Sequence, residues 1–402
     1  MRRSHVVVKV VREIKVTIVP EFMNSTQPST FFAVKGKALP VAQPRRFVLL
    51  AGAFLVGIAV SANAQQVTIT PDDSRVAKVG RYDDRTPAQP RFGYPGAGVI
   101  VRFTGTALTL NVKSDSAQSA LNVVVDHGAS QLRLLSKGDN AVSIATGLAS
   151  GLHIAEIIKR TETWQGVLIL SSLTIDGGTL LDPPVLPRRK LMFIGDSVTC
   201  GAGVDNNATC MPDPALPASN GYEAFGMVLG RRLDAQVQLV CYGGRGLERD
   251  YRGLGIADGV PNAPEFFQLS IPADDPASRA PWEAARFVPD GILISLGTND
   301  FNLQQKKPLN GTEWVARYVA FVKMLRGLYP GAKMWLTEGT IVTDPLLRQY
   351  VQAAVAAVGD PNVRFVHSEH YPGNGCNGHP TRAQHLAVAD GLEPVLREGL
   401  GW

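Results

Sequence analysis

Leu191-Met192-Phe193-Ile194-Gly195-Asp196-Ser197 is an apolar run that stops abruptly at a glycine, an aspartate and a serine. Consecutive apolar residues without polar alternation fit a strand covered on both faces, as in a parallel sheet flanked by helices. Val237–Tyr242, Gly291–Leu296, Lys333–Thr337 and Val363–Val366 read the same way. Between these runs apolar residues recur at helical spacing. One set is Tyr222, Phe225, Leu229 and Leu233; a second is Trp314, Val315, Tyr318, Val319, Val322 and Leu325; a third is Leu347, Val351, Ala354, Val355 and Val358. Strand and helix in alternation predict an α/β domain over 191–402, with a five-stranded parallel sheet and right-handed crossovers.

Upstream the rhythm is different. Leu108, Leu110 and Val112 alternate with Thr109, Asn111 and Lys113, the period of a strand with one face buried. Gly98–Phe103, Leu121–Val125, His153–Ile158 and Val167–Leu170 are further β-rich runs, separated by turn clusters such as Asp126-His127-Gly128 and Lys137-Gly138-Asp139-Asn140. No amphipathic helix interrupts them. Residues 65–182 therefore read as a β-sandwich of jelly-roll type. Pro183, Pro184 and Pro187, followed by Arg188-Arg189-Lys190, mark 183–190 as a stiff linker. The fold class expected is multidomain, β followed by α/β.

The chain of 402 residues is 45% apolar and 19% charged, values of an ordinary globular protein. Its net charge of +5 is modest and owes part of its value to Lys and Arg before residue 50, so no nucleic-acid partner is inferred. One long apolar run, Phe47 to Val60, follows Arg45-Arg46 and precedes Ser61-Ala62-Asn63-Ala64. A basic flank, an apolar core shorter than the ~20 residues of a bilayer span, and an A-x-A site describe a secretory signal cleaved after Ala64. Residues 1–64 are thus expected to be leader, with Met23 an alternative start, and the mature protein to be periplasmic or secreted, monomeric and without a membrane span. Export permits disulfides. Cys200, Cys210, Cys241 and Cys376 allow up to two bridges by three connectivities, and their spacing is not that of a zinc site. Neither metal nor organic cofactor is expected.

In an open α/β sheet, functional groups collect at the carboxyl ends of the strands. Ser197 sits there, although a plain helix cap is the default reading of such a serine. Gly243-Gly244-Arg245-Gly246 ends the second strand, and glycine lets a backbone N–H point into a site; an ordinary turn explains it equally. Gly297-Thr298-Asn299-Asp300 ends the third, supplying an amide able to donate to an oxyanion. Gly378-His379-Pro380 precedes the last helix and supplies an imidazole able to take a proton from Ser197. His127, His153, His367, His370 and His385 have no such support and read as structural or surface residues; His5 lies in the leader.

Together, Gly195-Asp196-Ser197, Gly244, Gly297-Thr298-Asn299-Asp300 and His379 resemble the four blocks of the SGNH, or GDSL, hydrolase superfamily. The resemblance implies Ser197 as nucleophile and His379 as general base. It implies an oxyanion hole from the N–H groups of Ser197 and Gly244 and the side chain of Asn299. Gly195-Asp196-Ser197-Val198-Thr199-Cys200-Gly201, Gly243-Gly244-Arg245-Gly246-Leu247, His379-Pro380 with His385, Gly80-Arg81-Tyr82 and Lys159-Arg160-Thr161-Glu162 resemble carbohydrate esterase family 2 more narrowly. That family joins an N-terminal jelly roll to an SGNH domain and removes acetyl groups from plant polysaccharides. An acetylated oligosaccharide or polysaccharide is therefore the expected substrate.

Two departures stand out. The superfamily places Asp three residues before the histidine, where this chain has Cys376, followed by the uncharged Asn377. A neutral residue does not stabilise imidazolium as a carboxylate does, so a Ser–His dyad is expected, with His379 held by a backbone carbonyl or by an acid elsewhere. The cysteines are the second departure. A Cys210–Cys376 bridge would tie the histidine loop to the serine loop, and is preferred over Cys200–Cys376 or free thiols. A general short-chain or aryl esterase is one alternative function. The other is a carbohydrate-binding protein with a decayed site.

Overall fold

The computed structural model describes residues 65–206, 218–302, 309–371 and 378–402; the expected leader lies outside the described residues. Ala62–Trp402 packs as one compact unit. Its first part is two antiparallel sheets. One has the order Tyr82–Asp83, Arg91–Phe92, Leu168–Asp176, Ala107–Ser114, Gly138–Ala145, with Gln66–Ile69 also paired to Leu168–Asp176. The other has the order Ala77–Val79, Gly98–Thr104, Leu152–Lys159, Ala120–Val125, Gln131–Leu134. Alternation decides which side chains enter the space between the sheets. Leu108, Leu110 and Val112 are buried, and they meet Val101, Phe103 and Ile157 of the opposite sheet. Each such burial is worth roughly 1.5–3 kcal/mol before entropy is counted. A single turn of 3-10 helix, Thr163–Gln165, interrupts the strands where no helix was expected. It is too short to leave an amphipathic period in the sequence.

The second part is a five-stranded parallel sheet in the order Ala235–Cys241, Arg189–Gly195, Gly291–Ser295, Lys333–Thr337, Val363–Phe365. Arg189–Gly195 pairs with the next strand in sequence on one side and with the third on the other, so the topology reverses beside it. A crevice opens at the carboxyl ends of strands at such a switch point. The strand begins at Arg189, two residues before the apolar run, because Arg189 and Lys190 pair with Ala235 and Gln236. Those two residues belong to the sheet and not to the linker. Helices Phe225–Arg232, Gly311–Leu328, Pro345–Val358 and Arg382–Leu400 cover the sheet. The longer ones begin at side-chain caps from Asn310, Asp344 and Thr381. Among the described residues no helix is long and apolar enough to cross a membrane.

Buried polar side chains cross the seam between the two parts. Arg81 is 1% exposed, its guanidinium donating to the Phe267 carbonyl and, at 3.1 Å, to Gln238 Oε1. It also lies against the faces of Phe267 and Trp282. Tyr94 Oη donates to the Phe266 carbonyl at 2.8 Å. Burial lowers the Arg81 pKa to about 10, so its charge persists at neutral pH. A buried guanidinium is costly where its donors are unmet; here the α/β part meets Nε and Nη1, while Nη2 has no acceptor among the described residues.

Candidate active site

Gly195 ends the first strand of the parallel sheet and Asp196 turns the chain, its side chain accepting from Val198 N at 3.0 Å. Asp196 is therefore the N-cap of the short helix Ser197–Cys200, which leaves the Ser197 hydroxyl for other work. Ser197 Oγ lies 2.7 Å from His379 Nε2, a hydrogen bond spanning 182 residues of sequence. The cap reading of Ser197 is thereby set aside. Burial raises the Asp196 carboxyl to about 6, against the opposing bond from Val198 N.

Gly244 adopts φ +77°, a conformation costly for any side chain. Its carbonyl accepts from Tyr251 N at 2.9 Å. Asn299, 8% exposed, donates Nδ2 to the Arg245 carbonyl at 2.9 Å and so stands against the Gly244 loop. The structure thus gathers Ser197, His379, Gly244 and Asn299 around the carboxyl ends of the first three strands.

Asp300, quoted in the sequence only as the end of a motif, holds that loop from below. Its carboxylate accepts from the backbone N–H groups of Leu247, Glu248 and Arg249 at 2.8, 2.8 and 3.1 Å. Burial raises its pKa to about 6 despite these bonds. From the other side Glu162, 2% exposed, reaches across the seam and accepts from Gly243 N at 2.7 Å. Burial raises its pKa, while the Gly243 N–H, the Trp164 indole and Lys159 favour the ionised form. Only a carboxylate after a buried strand marked Asp300 in the sequence, and only a family resemblance marked Glu162.

The histidine is located by its neighbours. Gly203, at φ +79°, packs so closely that an added Cβ would stand 2.6 Å from the His379 Cβ. Arg382 N donates to the Val204 carbonyl at 3.0 Å, and Arg382 Nη2 pairs with Asp205 Oδ1 at 2.6 Å. Asp205 Oδ2 accepts from Asn220 Nδ2 at 2.7 Å and from the Arg160 guanidinium. Burial opposes ionisation of Asp205, but Arg160 and Arg382 outweigh it and hold its carboxyl below the usual range. This network joins serine loop and histidine loop, the task expected of a disulfide.

The disulfide itself is Cys200–Cys241, which excludes Cys200–Cys376 and four free thiols. Parallel register explains it: Gly195 pairs with Cys241, and Cys200 lies one helical turn beyond Gly195. Both residues of the preferred Cys210–Cys376 bridge lie outside the described residues. His385 is fully buried and accepts from Phe225 N at 3.2 Å; burial lowers its pKa to about 3, a neutral structural histidine. His153 pairs with Asp126 in the sandwich, and His367 bonds the buried Glu338 at 2.6 Å. Among the described residues no group of three or more His, Cys, Asp or Glu is arranged to hold a metal.

Known proteins agree with this architecture. The family model for the carbohydrate esterase 2 N-terminal domain matches residues 78–184, and that for the GDSL-like lipase/acylhydrolase family matches residues 193–394. An acetylxylan esterase / glucomannan deacetylase of Cellvibrio japonicus is 35% identical over 338 residues, covering 83% of this chain and 92% of the relative. A solved family two carbohydrate esterase from Cellvibrio japonicus is 34% identical with a TM-score of 0.78, covering 84% of this chain and 99% of its own. Another from Clostridium thermocellum, solved in complex with cellohexaose, is 27% identical with a TM-score of 0.74, covering 81% and 99%. The chain belongs to carbohydrate esterase family 2, a branch of the SGNH/GDSL hydrolases, and is a carboxylic ester hydrolase.

Proposed function

We propose that this protein is an exported esterase that removes O-acetyl groups from plant polysaccharides by a Ser–His acyl-enzyme mechanism. The 2.7 Å bond between Ser197 Oγ and His379 Nε2 carries the reading. Ser197 Oγ attacks the acetyl carbonyl carbon as His379 takes its proton. The N–H groups of Ser197 and Gly244 and the Asn299 amide stabilise the oxyanion. The adduct collapses, the acetyl group stays on Ser197, and His379 gives its proton to the departing sugar oxygen. A water deprotonated by His379 then attacks the acyl-enzyme. Acetate leaves and Ser197 regains its proton.

The name of the Cellvibrio relative, acetylxylan esterase / glucomannan deacetylase, supports acetylated xylan and glucomannan as substrates. Two aromatic residues, each 50% exposed, support a sugar. Trp164 lies two residues after Glu162, which holds Gly243, and Tyr251 packs beside Gly244. An exposed ring next to a reacting centre offers a flat apolar face to a pyranose. We read the sandwich as a jelly roll, because successive strands from Gly98 to Asp176 mostly alternate between the sheets. The Cys200–Cys241 bridge supports an oxidising compartment. N-terminal sequencing of protein from the periplasm or medium should begin at Gln65; recovery of an intact leader in the cytoplasm counts against export.

Acetate release from acetylated xylan and glucomannan, beside 4-nitrophenyl acetate, tests the reaction. The parent should act on the polysaccharides, and Ser197→Ala should lose at least about 10⁴-fold in turnover with its fold intact. Activity on the aryl ester alone marks a general esterase, and inertness on all three marks a binding protein. Parent-like turnover in Ser197→Ala removes the mechanism.

A further inference from the structure

The sandwich reaches the site through one corner of its chain, Lys159-Arg160-Thr161-Glu162. Glu162 accepts from Gly243 N, immediately before Gly244. Two residues earlier, Arg160 points the other way. Its Nε donates to the Ser219 carbonyl at 3.0 Å and its guanidinium pairs with Asp205, which in turn holds Arg382 three residues beyond His379. Lys159 closes the corner from inside, its ammonium donating to the carbonyls of Thr161 and Glu162. Lys159, Arg160 and Glu162 are 1%, 5% and 2% exposed.

On the esterase reading above, we propose that this corner of the sandwich is a positioning element of the active site: Glu162 fixes the Gly244 donor, and Arg160, through Asp205 and Arg382, fixes the loop that carries His379. One arm serves the oxyanion donor and the other serves the base. Gly243 and Gly244 carry no side chains to lock their own conformation, so an external acceptor for the Gly243 N–H restricts the direction of the next peptide. Such an acceptor must be buried and short-ranged, and a carboxylate supplied by a rigid neighbouring sheet end meets both needs. The histidine arm follows the same logic with ion pairs. Arg160 and Arg382 share one carboxylate, so Gly203 and Val204, the residues touching His379 and Arg382, are held between the sandwich and the last helix. The sandwich is then part of the machinery for the chemical step, in addition to any contact with the polysaccharide.

The test separates reach from charge. In the full chain, Glu162→Asp keeps the charge but withdraws it from Gly243, whereas Glu162→Gln keeps an acceptor oxygen at the original length. With 4-nitrophenyl acetate, too small to report on distant sugar contacts, Glu162→Asp should lower kcat about 10- to 100-fold with KM within about threefold. Glu162→Gln should return to within about fivefold of the parent. Asp205→Asn turns an amide nitrogen toward one guanidinium and should lower kcat about tenfold, and the rate at which a fluorophosphonate labels Ser197 by the same factor. Rates are taken per folded molecule, from near-UV circular dichroism. Glu162→Asp within twofold of the parent overturns the oxyanion arm, and unaltered labelling in Asp205→Asn overturns the histidine arm. Glu162→Gln falling as far as Glu162→Asp overturns the role of the Gly243 bond. A parent that hydrolyses no ester overturns the esterase reading itself; an active parent with unaffected variants overturns only the positioning role.

Discussion

The turn that carries Ser197 and the loop that carries His379 meet at the Ser197–His379 hydrogen bond, yet they are held in unlike ways. The serine turn is fixed locally. It leaves the first strand of the parallel sheet, is capped by its own Asp196 and is tied to the adjacent strand by Cys200–Cys241. The histidine is fixed from a distance, by the close approach of Gly203 and by Arg382, Asp205 and Arg160 drawn from three separate stretches of chain. Strand, cap and disulfide give precision that survives a surface change. Steric contact and ion pairs give precision that depends on each partner. Variation in activity among mutants should therefore come mainly from the histidine side.

The largest effect expected from that difference is at Gly203. Gly203→Ala places a Cβ 2.6 Å from that of His379, at a φ that alanine disfavours. Turnover of the folded variant should fall about 100-fold, read as acetate release. A parent-like rate would break the comparison, since the histidine would then not be held by this contact. Next is the disulfide. Replacing both Cys200 and Cys241 by Ser should lower the free energy of unfolding by about 2–4 kcal/mol in urea titrations. Turnover of the folded fraction should stay within about threefold, because the Asp196 cap and the strand remain. A collapse of turnover in correctly folded protein would show that the serine turn too relies on a long-range tie.

The smallest effect is on the pH dependence of stability, where the two sides should differ in sign. Burial raises Asp196 to about 6 in the folded protein from 3.8, so the folded state binds more protons between those values and stability contributed there falls as pH rises. Asp205 is held below its ordinary range, so its contribution is present above the unfolded pKa and is lost as pH falls through the folded one. Melting temperatures between pH 3 and 7 should show Asp196→Asn removing a loss on the alkaline side of that window. Asp205→Asn should remove a gain that sets in near the carboxylate range. Identical profiles for both variants would contradict the assignment.

The serine side was also the more legible in the sequence. Continuous apolar strands announced the parallel sheet, and Gly-Asp-Ser, Gly-Gly and Gly-Thr-Asn-Asp announced its functional ends, because local structure and motif coincide there. Alternation in Leu108, Leu110 and Val112 announced the antiparallel sheets equally well. What stayed hidden joins distant stretches. The Glu162–Gly243 bond spans 81 residues and Arg382–Asp205 spans 177, and neither leaves a periodic trace. The Cys200–Cys241 pairing needed the strand register, which apolar runs alone do not specify. Asp300 was in view as the last letter of a motif, but three backbone donors converging on its carboxylate depend on the path of the neighbouring loop.

Arg81, buried against the Phe267 carbonyl and Gln238, bears on how this enzyme can be re-engineered. An N-terminal β-sandwich invites exchange, one module for another behind a proline-rich tether. Here the graft boundary cannot run through 183–190 alone. A donor module lacking a guanidinium at this spot leaves Gln238 and the Phe267 carbonyl facing an apolar graft, each lost partner costing about 1–3 kcal/mol. Chimeras that transplant Gly80-Arg81-Tyr82 and Lys159-Arg160-Thr161-Glu162 along with the new sandwich should fold and turn over. Those that respect only the linker should be recovered as aggregates.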